Sequence, residues 1–487
     1  MIKLINIELK KIFRHKSIYA VFILIFIFCF FNNLLYNLDY DDDGRYKYVD
    51  DNISHEIVKL KKELDGYDYN NSDDKNIFVT TKSKLDVYNN MIRYDKNSWQ
   101  YIRYNDYMYD TIYYINYYTY IDINNDKLKE YNNKLDKYNS IFDNNNYMFF
   151  LKQEKDDLNS KNTNLKEELK NITDKELYNN IDDELGKLNI SLLIIDYRIN
   201  KNIDYGNNYL NRALISYQEG IMNKNEFNNY NLSYNNKIKY RDIIKNIYEN
   251  KYIIDNGINI YKENTINNQL KDICLDYELF IIIIILIVSG ILLGEEFSKG
   301  TIKLLLIKPY NRYNILLCKL LTGIIVIFIS ILFLICCELL LGGIFLDISS
   351  LKIPMIVYNF NTSSIVKYNI FEYMLIKIFV RLPKYIFILM LSMFLNIIFI
   401  NNMFSFAITM IFYSISIVVN NLIINNNIKI FKYFITLNWE LSDYLFGGLG
   451  NYRYLSLKSS IFIYVIYVII ILAIMFVKFN RKDIKNI

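Results

Sequence analysis

Residues 279–294 read LFIIIIILIVSGILLG, sixteen consecutive positions without a charge. A strand half-buried in a sheet would alternate apolar and polar side chains, and this run does not. Inside lipid, backbone N–H and C=O groups have no water to bind, so only a helix or a closed barrel crosses. Continuous apolarity excludes the barrel, whose strands alternate. The run therefore predicts a transmembrane helix at 278–294. It is short for the roughly 20 residues that ~30 Å of hydrocarbon requires, so its ends should extend into polar flanks.

Five more such runs lie around it. They predict helices at 17–36, 320–345, 371–400 (with an amphipathic lead-in), 403–419 and 461–478. A cleaved secretory signal is the alternative for the first run. No small-residue cleavage site follows it, so a retained anchor is expected. Of the connections, 346–370 is read as an external loop. The connection 420–460 is a second one, long enough for short helices to dip back into the membrane.

Basic residues set the orientation. Lys3, Lys10, Lys11, Arg14 and Lys16 precede the first span. Lys299, Lys303, Lys308, Arg312 and Lys319 lie between spans two and three. Lys478, Arg481, Lys482 and Lys485 follow span six. Six crossings put all three clusters on one side, expected to be the cytoplasm, with residues 479–487 as a cytoplasmic tail. Lys377 and Arg381 then fall near the outer end of span four, where long side chains can snorkel to water.

Residues 37–277 differ in kind: polar, dense in charge and free of proline. Leu151, Leu158, Leu165 and Ile172 recur every seven residues. Ile181, Leu185, Leu188, Leu192, Ile195 and Ile199 step by four and three. Each pattern is an apolar seam asking for a helical partner. Thr173 and Glu176 between them fit a capping box. An antiparallel helical hairpin is expected, with a longer irregular bundle as the alternative. The fold class read here is an all-α membrane protein: six transmembrane helices plus a large, mainly helical, coiled-coil-like extracytoplasmic domain.

Composition narrows the function. A net charge of +5 over 487 residues is too mild to indicate nucleic acid, and none is expected as a partner. His15 and His55 have no ligand neighbours at metal-site spacing. No Gly-x4-Gly-Lys-Ser/Thr loop is present to cradle a nucleotide. Neither a His-Glu-x-x-His nor a Gly-x-Ser-x-Gly site occurs. The chain is thus read as a non-enzyme with no cofactor or metal of its own. Of five cysteines, only Cys274 falls within 37–277, so that domain holds no internal disulfide. The abundance of Asn, Ile, Lys and the 46 tyrosines reads as nucleotide bias rather than function.

The segment 295–319 carries the functional signal. Glu295 and Glu296 lead into Phe297, then Gly300-Thr301, Lys303, Leu304-Leu305, Pro309, Arg312 and Lys319. Gly300-Thr301 should break the incoming helix, with Thr301 capping a short new one. Ile302, Leu305 and Leu306 give that helix an apolar face, and Pro309 ends it. A short helix held between two spans is a handle, the alternative being a plain basic loop that only sets topology.

This order of residues resembles the cytoplasmic loop of ABC-2-type permeases, the membrane subunits of ABC transporters. The likeness covers the loop and the six-span plan, not 37–277. It implies that an ABC ATPase subunit docks on the handle, and that a second permease subunit, identical or related, completes the assembly in the bilayer of the cytoplasmic membrane. It implies coupling roles for Glu295 and Glu296 as docking charges, for Phe297, Gly300, Thr301, Lys303 and Pro309 in the handle, and for Arg312 as a lipid or partner contact. ATP hydrolysis would belong to the partner. Residues 1–16 resemble that family's amphipathic connecting helix, with Ile2, Ile5, Leu9, Ile12 and Phe13 as the apolar stripe and Leu4 and Ile7 outside it; a basic anchor flank is the alternative. Glu338, the clearest ionisable residue inside an apolar run, is a candidate intramembrane site near the outer end of span three. A related machine that moves no substrate, and instead acts through its outer domain on cell-wall enzymes or antibiotic peptides, is the competing function.

Overall fold

A computed structural model of the chain describes residues 1–39, 52–67, 72–172, 174–227, 234–259, 265–302, 311–425, 429–448 and 455–481. It is an all-α membrane protein. Six helices are long and apolar enough to cross a bilayer: Lys16–Leu38, Glu278–Ser298, Arg312–Phe345, Ile370–Phe399, Asn402–Ile423 and Leu457–Arg481, here spans one to six. The chain divides into two compact units. One comprises residues 1–47, 233–238 and 262–487, and the other residues 48–232 and 239–261.

In the membrane unit, span two is the most enclosed, with 72% of its apolar window buried against 17% for span six. Ile281, Ile285, Val288 and Leu292 from span two meet Met390 and Met393 from span four in one apolar core. Lipid tails offer no hydrophobic drive to associate, so close packing and polar contacts must hold the helices together. Ser289 and Ser392 provide one such contact, their hydroxyls 2.5 Å apart. Gly290 and Gly294 provide another. Gly290 faces the side chain of Asn402, and a Cβ on Gly294 would lie 2.8 Å from Asn396 Oδ1.

Several spans run past the bounds read from the sequence, among them span two to Ser298 and span six from Leu457. Span three begins at Arg312 rather than 320, and span five runs on to Ile423 rather than 419. A helix propagates through polar flanks as long as its backbone ladder is unbroken, so apolarity underestimates length. The 346–370 connection is more ordered than a loop. Met355–Asn359 (β1) pairs antiparallel with Ser364–Tyr368 (β2), Val357 opposite Val366. β-branched residues on both sides of a polar Asn-Thr-Ser turn favour this hairpin, the one strand pair among the described residues. The 420–460 connection holds short helical turns at Lys429–Tyr433, Ile435–Asn438 and Leu441–Gly447. They bury Trp439 edge-on against Phe387 and Phe412.

The second unit is helical: α3 (Asn52–Leu64), α4 (Ser72–Met91), α5 (Trp99–Tyr120), α6 (Asn125–Asp143), α7 (Tyr147–Asn171), α8 (Lys175–Lys201), α9 (Tyr209–Phe227) and most of α10 (Tyr234–Asn256). Here α1 (Ile2–Ile12) and α2 (Lys16–Asp39), the first span, precede it in the chain. An aromatic cluster organises its core, with Trp99 stacked on Phe142 at 4.9 Å and Tyr107 on Phe150 at 4.0 Å. α7 and α8 form an antiparallel hairpin. Lys155 pairs with Asp196 at 2.7 Å, while Lys161 meets Glu184 at 2.8 Å and Asn162 meets Asn189 at 2.9 Å, so the later stretch of α7 faces the earlier stretch of α8. The N-cap of α8 is Asp174, one residue later than the expected capping box; its carboxylate accepts the Glu176 and Leu177 amides. Asp serves this position as well as Thr does, and Thr173 lies outside the described residues.

Candidate coupling site

Lys319 is the residue around which the site assembles. It is fully buried, about two turns into the apolar helix of span three. A buried ammonium is tolerated only when its three donors find acceptors. Its Nζ lies 2.7 Å from Glu8 Oε1, 2.8 Å from Glu296 Oε2 and 2.7 Å from the Leu292 carbonyl. The third acceptor depends on backbone geometry. Gly290–Gly294 of span two is a π-helical turn, and Leu292 sits within it. Such turns displace carbonyls from the regular ladder and favour functional positions.

Lys11 closes the cluster, 2.6 Å from Glu296 Oε1. Glu8, Lys11, Glu296 and Lys319 thus form a neutral quartet that joins α1 to spans two and three. Next to it, Glu295 pairs with Lys299 at 2.6 Å and with His15 Nε2 at 2.8 Å. The buried face of α1 is consequently Leu4, Glu8 and Ile12. This corrects the expected stripe. Leu4 is inside rather than outside, and Ile2 is largely exposed. The stripe rotates because the carboxylate of Glu8 must reach Lys319.

The expected coupling residues fall as follows. Glu296 is buried and engaged within the chain, so it is not a free docking charge; Glu295 is only partly covered. Phe297 is buried edge-on against Phe479 of span six. Gly300 has φ +70°, a left-handed conformation that ends the helix of span two, and Thr301 beside it is exposed. Lys303 and Pro309, with most of the expected handle helix, lie outside the described residues. Arg312 is half-buried, and its Nη1 donates to the Asn480 carbonyl at 2.6 Å, tying the start of span three to the end of span six. Glu8, Lys11 and His15 escaped the sequence reading. The available signal was Glu8 itself, the one carboxylate in the first sixteen residues.

Glu338 is separate from this site. It is fully buried rather than wetted at a helix end. Asn33 Nδ2 donates to its Oε2 at 2.8 Å, and the Tyr277 hydroxyl donates to its Oε1. The end of the bundle opposite α1 carries a second ionic group. Glu278 pairs with Lys384 and lies 3.4 Å from Arg381, Lys384 reaches Glu440 at 3.2 Å, and Lys377 meets Asp272 at 2.8 Å. Acidic partners from the approach to span two thus engage both, with Arg381 buried and Lys377 only half-buried. Burial disfavours the charge on Glu440, yet Lys384 and Arg381, with the Ser442 hydroxyl, hold its carboxyl below the usual range. No group of three or more His, Cys, Asp or Glu side chains suited to a metal occurs among the described residues.

A family profile described as Protein of unknown function (DUF2705) matches residues 236–485, just over half of the chain. No curated protein and no solved structure matches it.

Proposed function

This chain belongs to the family described as Protein of unknown function (DUF2705), and from the geometry of its α1 end we propose that it is the membrane-spanning permease subunit of an ABC transporter, an exporter powered by a separate ATPase. The observation that carries the reading is the buried quartet around Lys319. An amphipathic helix that merely rested on lipid would need no ion pair inside the bundle. One joined by Glu8 and Lys11 to spans two and three moves them when it is moved. The resemblance of residues 294–319 to the ABC-2 coupling loop supplies the direction of the argument.

In this scheme two permease subunits pair in the cytoplasmic membrane, and ATPase subunits bind the side bearing both termini, which is cytoplasmic. Closure of the ATPases on ATP pushes the segment 300–309 and α1 together. Gly300 interrupts the helix so that the segment can pivot. Lys319 passes the displacement to spans two and three, and Arg312 passes it to span six. Nucleic acid plays no part.

Co-expression with an ABC ATPase encoded in a neighbouring reading frame tests this. The ATPase should copurify, and its hydrolysis should rise in the reconstituted complex. Replacing Gly300 and Thr301 with leucine should leave membrane insertion intact and abolish that rise. Failure of any such ATPase to copurify would sink the reading. A second reading, force transmission without transport, draws on the size of the helical unit with its own aromatic core. Reconstituted vesicles separate the two: ATP-dependent flux of a candidate substrate supports export, and hydrolysis without flux of any candidate supports transmission.

A further inference from the structure

The helical unit formed by residues 48–232 and 239–261 contains an open cleft of about 460 Å³ between α5, α7, α8 and α9. That volume is within the range of small-molecule sites. Its chemistry is asymmetric. Arg103 and Arg198 both place their guanidinium carbons 4.2 Å from the centroid of the Tyr205 ring. Arg103 is neutralised, 2.7 Å from Asp106 and 3.3 Å from Glu154. Glu154 also accepts the hydroxyls of Tyr107 and Tyr205, so its oxygens are committed.

Arg198 differs. It is 5% exposed, and its Nη1 donates to the Asp204 carbonyl at 2.8 Å. No carboxylate among the described residues lies within ion-pair distance of it. Burial bears on this guanidinium strongly enough to hold its proton affinity below the usual arginine range. Glu154 and Asp204 attract it from a distance, but a desolvated cation with no carboxylate in contact is destabilising, and arginine presents a planar fork suited to one.

A second group points into the same cleft. Asn211 is 6% exposed; its Nδ2 donates to the Gly206 carbonyl at 2.8 Å, but its Oδ1 has no donor. A buried acceptor left empty calls for an N–H or O–H from elsewhere. The remaining wall is branched and aliphatic, with Ile194 and Ile195 buried and Ile215 exposed at the rim.

We propose that this cleft binds a small carboxylate with a branched alkyl body and an adjacent N–H donor, the chemistry of an N-acylated branched amino acid, whether free or as the last residue of a peptide. The carboxylate pairs with Arg198, the N–H satisfies Asn211 Oδ1, and the alkyl group covers the isoleucines. The assignment concerns one unit of the chain and stands whether or not the protein is a permease.

Calorimetric titration of the full-length protein in lipid nanodiscs is the test. N-acetyl-leucine should bind saturably, and N-acetyl-leucinamide, which lacks the charge, should bind about tenfold more weakly or worse. An acetylated tripeptide ending in leucine distinguishes the sources: tighter binding than N-acetyl-leucine assigns a peptide end, weaker binding a free acyl amino acid. Arg198→Gln should lose about tenfold or more in affinity. Because that change could also disturb folding, Ile215→Trp fills the cleft from its exposed rim without touching the charge, and it should weaken binding with an unchanged thermal midpoint. No saturable heat from N-acetyl-leucine, equal affinity for acid and amide, or normal affinity in a folded Ile215→Trp protein would overturn the proposal.

Discussion

Lys319 donates to Glu8 and to the Leu292 carbonyl and lies in ion-pair range of Glu296, so its two carboxylate partners come from different helices. Removing the cation strands Glu8, while Glu296 keeps Lys11. Lys319→Met should lower stability by about 3–5 kcal/mol, the usual effect of breaking a buried ion pair. Deleting Glu8 as well, in Glu8→Leu with Lys319→Leu, leaves the Glu296–Lys11 pair intact and should recover part of the loss. Thermal midpoints of the purified variants give the order, and a double variant no better than the single one would contradict the neutral quartet. Glu338 depends on hydrogen bonds rather than charge pairing. Glu338→Leu strands the Asn33 amide and the Tyr277 hydroxyl and should cost about 1–3 kcal/mol. At the opposite ionic group, Glu440 has a folded pKa below its unfolded value near 4.3. Its contribution is therefore complete above that value and lost as pH falls through the lower, folded one. The thermal midpoint should hold down to about pH 5 and decline below about pH 4, with Glu440→Gln showing a shallower decline. At this scale the sequence was partly legible. Glu338 and Lys319 stood out as ionisable residues in or beside apolar runs. Their partners did not, because Glu8 and Asn33 lie some 300 positions away from them, and no periodicity encodes such a pairing.

Elements were more legible than residues, for a physical reason. The seams at Leu151, Leu165, Leu188 and Ile195 are local repeats, and a repeat of seven specifies a helical partner without reference to the rest of the chain. The hairpin of α7 and α8 follows from it. Its cap shows the limit: Thr173 and Asp174 are both competent, and only backbone geometry chooses Asp174. Asp174→Ala should destabilise the helical unit by about 1 kcal/mol, read from a denaturant midpoint. The stripe of α1 was misassigned by about a quarter turn of the helix, because hydrophobicity alone favours Ile2 and Ile5 while an ion pair decides the rotation. The π-helical turn at Gly290–Gly294 was not legible, since its only outward sign is two glycines four apart. Gly294→Val would press a side chain into Asn396 and should part spans two and four. A disulfide engineered between those spans should form more slowly in that variant, and an unchanged rate would count against tight packing there.

At the scale of the membrane unit, charge collects in two layers. Lys319 and Glu338 lie nineteen residues apart on one helix with no charge between them, a separation of about 28 Å at 1.5 Å per residue. Glu278 and Glu295 bracket span two in the same way, about 25 Å apart. These distances approximate the hydrocarbon thickness, so the ionic groups mark where each crossing begins and ends. Gly300→Cys reports which layer faces the cytosol: in a background lacking the exposed Cys336, an impermeant maleimide should label it only after cells are opened. Labelling of intact cells would reverse the orientation. All five cysteines are free, so reductant should leave the thermal midpoint unchanged. The ion pair between Glu8 and Lys319 bridges 311 positions, which has a bearing on how the protein is made. At ribosomal speeds of roughly 5–20 residues per second, the leading helix is synthesised on the order of 15–60 s before the lysine that will hold it. Throughout that interval Glu8 lacks its anchor and the first segment lies undocked on the membrane. Translation that stops short of span three thus leaves a loose N-terminus, by which membrane proteases can tell an unfinished chain from a finished one.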